Sequence, residues 1–308
     1  MRSSAALANP LLPPFAPNST PAYLAWREAK LARYPRRLDE LIVEVRDPRA
    51  LSDAEADEIQ RVCRVANMAI YASPLANVAD KDIPRRLGAR LGLLNLHANP
   101  LADEDGISSL LAAPDKSARG YIPYSRQRLL WHTDGYYNAP HERIRAFILH
   151  CVRPAAAGGD NHLLDHEIAY ILLRDADPDF VRALSEPDAM TIPANNEAGQ
   201  PIRPAQTGPV FSSDSATGAL HMRYTARTRS IVWKQDTLTQ QAVAFMQELL
   251  AGDTLRIFRH RLAAGQGLLC NNVLHNRAGF ADDVDTGQVR LIYRARYFDR
   301  IAGTNRVL

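Results

Sequence analysis

Cysteine is scarce in this chain of 308 residues, with only Cys63, Cys151 and Cys270, odd in number and far apart. That excludes a disulfide scaffold and the paired-cysteine spacing of zinc or redox motifs, and it fits a reducing compartment, so a cytoplasmic location is expected. Lysine is scarce too: four of the 37 basic residues are lysine and the rest are arginine. Positive charge in excess is also missing, since the net charge is +3. A protein held on nucleic acid or on a membrane surface by charge is therefore not indicated. No run approaches the roughly 18 apolar residues of a membrane span. After Met1-Arg2 the chain is broken by prolines and has no continuous apolar signal core. Repeats at solenoid periods are absent. A hydrophobic content of 46% remains, enough for one full core.

The prolines at 10, 13, 14 and 17 set residues 1–19 apart as a flexible arm or extended strap, leaving 20–308 as a single domain. Apolar spacing predicts a helix from Pro21 to Tyr34 and a strand from Leu41 to Val45. Ser52 and Glu55 form a capping box before a helix reaching about Ala69. Residues 145–152 are short and apolar on both faces, as in a central strand. Gly158-Gly159-Asp160 is a turn. Helices are expected from His166 to Asp175, from Pro178 to Leu184 and from Thr237 to Leu250, with strands at Leu255–His260 and Gly267–Cys270. The stretch from Pro193 to Thr228 is rich in turn residues and reads as a long loop, a type that in a compact domain is functional or disordered.

Chemistry concentrates at Leu129-Leu130-Trp131-His132-Thr133-Asp134-Gly135. Residues i and i+2 of a strand share a face, so His132 and Asp134 can aim at one point before the chain turns at Gly135. A further ligand is expected from His275, at the end of the strand-like run 268–275. Two histidines and a carboxylate on one side of an ion leave positions open, the pattern of non-haem iron oxygenases. His150, His162 and His166 with Asp165 form a rival set. Leu163-Leu164 is strand-like, which starts the helix after His162 and leaves these as surface or core histidines. Downstream, residues 289–298 alternate, with Arg290, Arg294 and Arg296 on one face and Val289, Leu291, Tyr293, Ala295 and Tyr297 on the other. Such a face can clamp a dicarboxylate or, as the plainer alternative, can be the solvated face of an edge strand.

Trp-His-Thr-Asp-Gly at 131–135, Gly-Gly-Asp-Asn at 158–161, Val-Leu-His-Asn-Arg at 273–277 and the Arg290/Arg294 pair, in that order, resemble the taurine dioxygenase and 2,4-dichlorophenoxyacetate dioxygenase family. The resemblance runs from about residue 118 to 300. It implies a mainly β fold with flanking helices around a double-stranded β-helix, or jelly-roll, core. It implies Fe(II) with 2-oxoglutarate and O2 as cosubstrates, and hydroxylation of a small polar or anionic molecule with release of succinate and CO2. By the same resemblance His132, Asp134 and His275 are the metal ligands, and Arg290 holds the far carboxylate of 2-oxoglutarate. Asn161 stands beside Arg290 where the family more often has threonine. Leu269-Cys270-Asn271 also departs from the family's Asp-Asn-Arg. The insertion at 193–228 is lid-like in the family, so Arg223, Tyr224, Arg227 and Arg229 are candidate substrate contacts, with a solvated loop as the alternative. Arg294, Tyr121 and Tyr124 are further substrate candidates, the tyrosines alternatively packing the barrel rim. The expected partner is a small molecule, with no nucleic acid or membrane, and a homo-oligomer is compatible with the reading. An alternative from another class is a jelly-roll that binds a small ligand and has lost turnover.

Overall fold

The computed structural model describes residues 11–97, 103, 105–112, 122–197, 200–215, 217–252 and 256–305. Two sheets face one another. The larger has the strand order Ile42–Glu44, Met68–Ala72, Gln266–Cys270, Ala146–Arg153, Leu291–Tyr297, Ser108–Leu110, and the smaller runs Phe258–His260, Asn161–Leu164, Leu274–Arg277, Leu129–His132. Ile42–Glu44 pairs in parallel with Met68–Ala72, and the other neighbours are antiparallel. This is the expected jelly-roll core with flanking helices. Ala146–Arg153 is the central strand foreseen from its two apolar faces, buried along nearly its whole length.

Local chemistry explains the element ends. Ser52 Oγ accepts from the Glu55 backbone and Glu55 caps in return, so the helix Asp53–Ala66 starts as expected. It stops three residues short of the expected Ala69, because Asn67 takes the left-handed conformation (φ 56°) and the chain re-enters the core as the strand Met68–Ala72. A helix at Asp82–Arg90, not foreseen, packs on the outer face of the larger sheet. There the Tyr297 hydroxyl donates to the Pro84 carbonyl at 3.2 Å and leaves Gly88 no room for a side chain. The helices Thr20–Arg33, His166–Ala176, Pro178–Ala183 and Thr237–Ala251 lie close to prediction, and Trp131 ties the last of them to the strand Leu129–His132, the metal strand below, through Nε1 to the Leu250 carbonyl, 2.9 Å. Of the strand expected at Leu255–His260, Phe258–His260 forms and Leu255 lies outside the described residues.

The described part of the N-terminal arm packs as an extended strap: Phe15 is fully buried against Trp26 and Tyr170, and Arg174 donates to the carbonyls of Pro14, Ala16 and Pro17. Two expectations need correction. The Pro193–Thr228 stretch is not a structureless loop. It folds into the short strands Asn195–Glu197, Gln200–Arg203, Gln206–Gly208, Phe211–Ser213 and Leu220–Met222, with Gln206–Gly208 pairing to Met190–Ile192. The run ending in His275 is not one strand. It is two strands in different sheets, joined through Asn271, Asn272 and Val273.

The first helix is fixed to the core by charge. Lys30 is fully buried, with its ammonium 2.7 Å from Asp165 and in contact with Glu167. Asp165 in turn caps the helix that follows it and accepts from Asn67 Nδ2 at 3.0 Å. Removing one partner of a buried pair leaves an uncompensated charge, worth about 3–5 kcal/mol. Lys30→Ala is therefore expected to lower stability by about that amount, measured by chemical denaturation at neutral pH.

Candidate metal centre and its surroundings

Leu274–Arg277 runs antiparallel to Leu129–His132 with His275 directly opposite His132. That register puts the two imidazole rings 4.2 Å apart, centre to centre. Asp134 follows on a turn rather than on the strand itself, which ends at His132. His132, Asp134 and His275 are all buried and offer ligand atoms within 4.8 Å of one another. The structure thus brings together the three residues expected from the sequence.

The tautomer of both rings is set by the backbone. His132 Nδ1 lies 2.8 Å from the Leu130 carbonyl, and His275 Nδ1 lies 3.0 Å from the Val273 carbonyl. A carbonyl can only accept, so each Nδ1 carries the proton and each Nε2 keeps its lone pair for a ligand bond. Burial, and then neighbouring His132, pull the His275 imidazole down to about 3, so it is neutral at pH 7. Burial alone would raise the Asp134 carboxyl. The Arg294 guanidinium, 3.6 Å away, and the contact with His132 outweigh it and hold the group well below the usual carboxylate range. Asp134 Oδ2 is buried without a hydrogen-bond partner. An orphaned anionic oxygen beside two imidazole lone pairs fits a divalent metal.

Asn272 fixes the carboxylate from behind. Its Oδ1 accepts from the Asp134 backbone N–H at 2.8 Å, and its Nδ2 donates to the carbonyls of Asp134 (2.9 Å) and Ile144 (2.7 Å). Its own backbone is left-handed at φ 51°, a conformation asparagine tolerates better than most residues. The chain crosses between sheets at this point and clamps the metal turn as it does so. Sequence reasoning missed the role, although the doubled asparagine before Val273 was its visible signal.

The arginine strand Leu291–Tyr297 keeps the expected alternation. Arg290 and Asn161 line one pocket of about 240 Å³ with Gly158, Gly159 and Ile292. The turn at Gly158 and Gly159 (φ 69° and 82°) delivers Asn161 there, and Gly158 sits so close to the Gly279 carbonyl that a side chain would collide. Burial lowers the Arg290 guanidinium to about 10, leaving it charged at neutral pH. It lies 5.0 Å above the Phe280 ring and has no acceptor for its guanidinium among the described residues. Phe280 is shared with Arg277, whose own guanidinium donates to the carbonyls of Pro123, Ser125 and Gln127 and so anchors the approach to the metal strand.

At the other end of that strand, Arg294 faces Asp134 and Arg296 donates to the Tyr137 hydroxyl at 3.1 Å. His97, missed in the sequence, stands nearby and is pulled down to about 4 by burial and then by Arg296. Residues Tyr224–Ala226 dock along the metal strand: Thr133 N donates to the Tyr224 carbonyl, Ala226 N donates to the Trp131 carbonyl, and Thr225 bridges to His132. That brings Arg227 beside Tyr136, next to the metal turn. The other insertion candidates go elsewhere. Arg223 is committed to the carbonyls of Met190, Gln206 and Gly208, Tyr224 is buried in the core, and Arg229 is exposed. Tyr124 is buried within electrostatic reach of Arg296, and Tyr121 lies outside the described residues. His150 pairs with Tyr71 at 2.8 Å, His166 faces the Leu220 carbonyl, and His162 sits on the strand Asn161–Leu164, so the rival set does not converge.

A profile of the family described as "Taurine catabolism dioxygenase TauD, TfdA family" matches residues 35–296. A uridine-5′-phosphate dioxygenase from an Amycolatopsis species is 30% identical over 290 residues, which covers 87% of this chain and 100% of that protein. Among solved structures, an asparagine oxygenase in complex with Fe(II), 2S,3S-3-hydroxyasparagine and succinate superposes with a TM-score of 0.59. Its identity is 17%, covering 91% of this chain and 85% of that one. The non-heme iron oxygenase OrfP, with Fe, succinate and (3S)-hydroxy-L-Arg, also gives 0.59 at 16% identity, covering 80% and 81%.

The Asn272 clamp generates a prediction. Asn272→Gly keeps the left-handed backbone accessible but removes every side-chain bond to the metal turn. Groups that orient a ligand typically contribute 10–100-fold to metal affinity. Titration with Mn(II) or Fe(II) under anaerobic conditions should show a loss of that size, with the far-UV circular dichroism spectrum unchanged.

Proposed function

This chain belongs to the TauD/TfdA family of dioxygenases and is an Fe(II)/2-oxoglutarate-dependent oxygenase of small molecules; from that premise we propose how its residues divide the work. His132, Asp134 and His275 hold the iron. The observation that carries this is the converging donor set, with the unpartnered Asp134 Oδ2 beside two imidazoles whose Nδ1 protons are already spent on carbonyls. When bound, the iron and 2-oxoglutarate supply oxidative decarboxylation of the oxo acid coupled to hydroxylation of a substrate C–H bond.

Arg290 meets the far carboxylate of 2-oxoglutarate in a charge-assisted, two-pronged pair, helped by the Asn161 amide. What supports this is a buried guanidinium with no acceptor among the described residues, facing a pocket that Asn161 shares. Arg294 and Arg296, with Arg227 across the metal turn, orient an anionic substrate. Asp134 is the carboxylate placed among them, and a metal would claim it. The first compound to test is uridine 5′-phosphate, the substrate in the name of the Amycolatopsis relative. The described residues contain no helix long and apolar enough to cross a membrane. A cytoplasmic location is part of the proposal, supported by three free, buried cysteines.

Two predictions test the division. His275→Ala should abolish Fe(II)-dependent succinate release, with 2-oxoglutarate consumption falling to background; normal turnover would remove His275 from the ligand set. Arg290→Ala leaves a carboxylate unpaired, a loss of about 2–5 kcal/mol for truncated buried charge pairs, or roughly 30-fold to several thousand-fold in 2-oxoglutarate affinity. Arg290→Lys should recover part of it, since lysine keeps the charge and loses the fork. Arg294→Ala should spare 2-oxoglutarate and raise the KM for the anionic substrate instead. Isothermal titration with 2-oxoglutarate and Mn(II) separates the three variants, and a loss of cosubstrate in Arg294→Ala alone would exchange the two roles.

A further inference from the structure

Behind the metal turn lies a second cleft, of about 620 Å³, bounded by residues 133–144 on one side and by the strands of the 206–223 insertion on the other. Thr133 and Asp134 line it, whereas His132, His275, Arg290 and Arg294 do not. Its basic side chains outnumber Asp134, the one carboxylate among its lining residues. Among the described residues, Arg143 enters it with no hydrogen-bond acceptor for its guanidinium, and His221 enters it with no hydrogen-bond partner for its ring. Arg223 contributes a third basic group, whose Nε is buried and unpartnered although its other nitrogens are bound to carbonyls.

These groups repel one another. Burial and then Arg145 pull the Arg143 guanidinium below its ordinary value, and burial followed by Arg143 and Arg203 brings Arg223 down to about 10. His221 is pushed well down by burial, then by Arg143, His166, Arg145 and Arg300. Among the described residues Asp214 is the one carboxylate acting on Arg143, and it already faces Arg145 at 3.2 Å. Partly buried guanidinium groups that outnumber their counter-charges cost stability, and an anion seated among them removes that cost. A planar fork, an imidazole and a free Nε–H are donors suited to tetrahedral or planar oxygens.

We propose that this cleft is an oxyanion site for a phosphate-type group, separate from the cosubstrate pocket and in contact with the metal turn through Thr133 and Asp134. It stands on this geometry and not on the assignment of the prime substrate. Two sources share the chemistry: the phosphoryl group of a nucleotide, or free phosphate acting on the turn that carries Asp134.

Thermal unfolding of the full chain in phosphate-free buffer, with inorganic phosphate added at constant ionic strength against a chloride control, tests it. Phosphate at a hundred times its Kd should raise the wild-type Tm by on the order of 5 °C. Arg143→Met should abolish that rise, and should be at least as stable as wild type without phosphate, because its guanidinium anchors nothing in the fold. By isothermal titration His221→Gln should weaken phosphate binding by about tenfold, the effect of one lost hydrogen bond to a charged group. An equal phosphate shift in wild type and Arg143→Met would overturn the proposal. So would an Arg143→Met chain that is less stable without phosphate, since Arg143 would then be a structural residue. Given an Arg143-dependent site, competition between phosphate and uridine 5′-phosphate assigns it to a nucleotide's phosphoryl group, and simultaneous binding assigns it to free phosphate. The iron and 2-oxoglutarate assignments can fail or hold independently, because neither readout requires turnover.

Discussion

The register that sets His275 opposite His132 is the constraint on which the rest of the centre depends. Side chains on a strand alternate, so a slip of one residue would turn His275 to the other face and leave a two-residue site. The register is held from both ends. On one side Asn161–Leu164 pairs along the whole of Leu274–Arg277, and on the other the chain leaves the larger sheet at Cys270 and must cross to the smaller within three residues. Asn271 and Asn272 make that crossing possible, and both do so with side-chain bonds. Asn271 accepts from Ile301 N and donates to Asn67 and Thr304, while Asn272 binds the backbone of Asp134. Placement of the distal histidine and placement of the carboxylate are therefore one structural event.

Apart from those that pair with surface carboxylates, such as Arg37 with Asp39 and Arg61 with Glu58, the arginines of this chain include two groups that differ in where the fork ends. Arg174, Arg223 and Arg277 end on backbone carbonyls, where five donors in a rigid plane can hold several turns of irregular chain at once. These are structural, and lysine could not replace them. Arg290, Arg294 and Arg143 end on a pocket, on a carboxylate that a metal would share, and on a cleft. Composition cannot separate the groups; only the acceptors do.

That distinction marks how far the sequence could be read. The i, i+2 pair at His132 and Asp134, the arginine face at 290–296 and the glycine turn before Asn161 rest on strand periodicity and turn chemistry, which are local. The convergence of His132 and Asp134 and the glycine turn survived, although the strand ends at His132 and leaves Asp134 on a turn, and Arg290 lies just before a strand that is bulged between Leu291 and Ile292. The split of 266–277 into two sheets did not announce itself, because an apolar run with two asparagines looks the same whether the chain continues or crosses over. The helix at Asp82–Arg90 was hidden by Pro84 and Gly88, both poor helix formers, which tertiary contact with Tyr297 makes acceptable. The strands within 193–228 were hidden because each is three or four residues long, too short for a period to show. Arg223 read as a substrate contact for the same reason: its three acceptors lie 15 to 33 residues away in sequence.

The arginine strand also relates the proposed cosubstrate and substrate positions. Four residues of extended chain span at most about 13 Å, which bounds the distance from Arg290 to Arg294. Arg294 sits where the strand is paired on both sides, to Ala146–Arg153 and to Ser108–Leu110, whereas Arg290 lies just before the strand, beyond a bulge between Leu291 and Ile292, with its backbone N–H held by Asp282 Oδ1 at 2.8 Å. In the reading proposed above, a 2-oxo acid clamped at Arg290 has its far end fixed at the edge of this strand, and a substrate anion meets Arg294 on the strand itself. Specificity is then left to what can vary without disturbing the sheet. The docked segment Tyr224–Ala226 presents Arg227 beside Tyr136, and in the proposed reading a change of charge at residue 227 would alter what the centre admits while the hydrogen bonds of Thr133 and Trp131 to that segment, all backbone or hydroxyl, stay as they are.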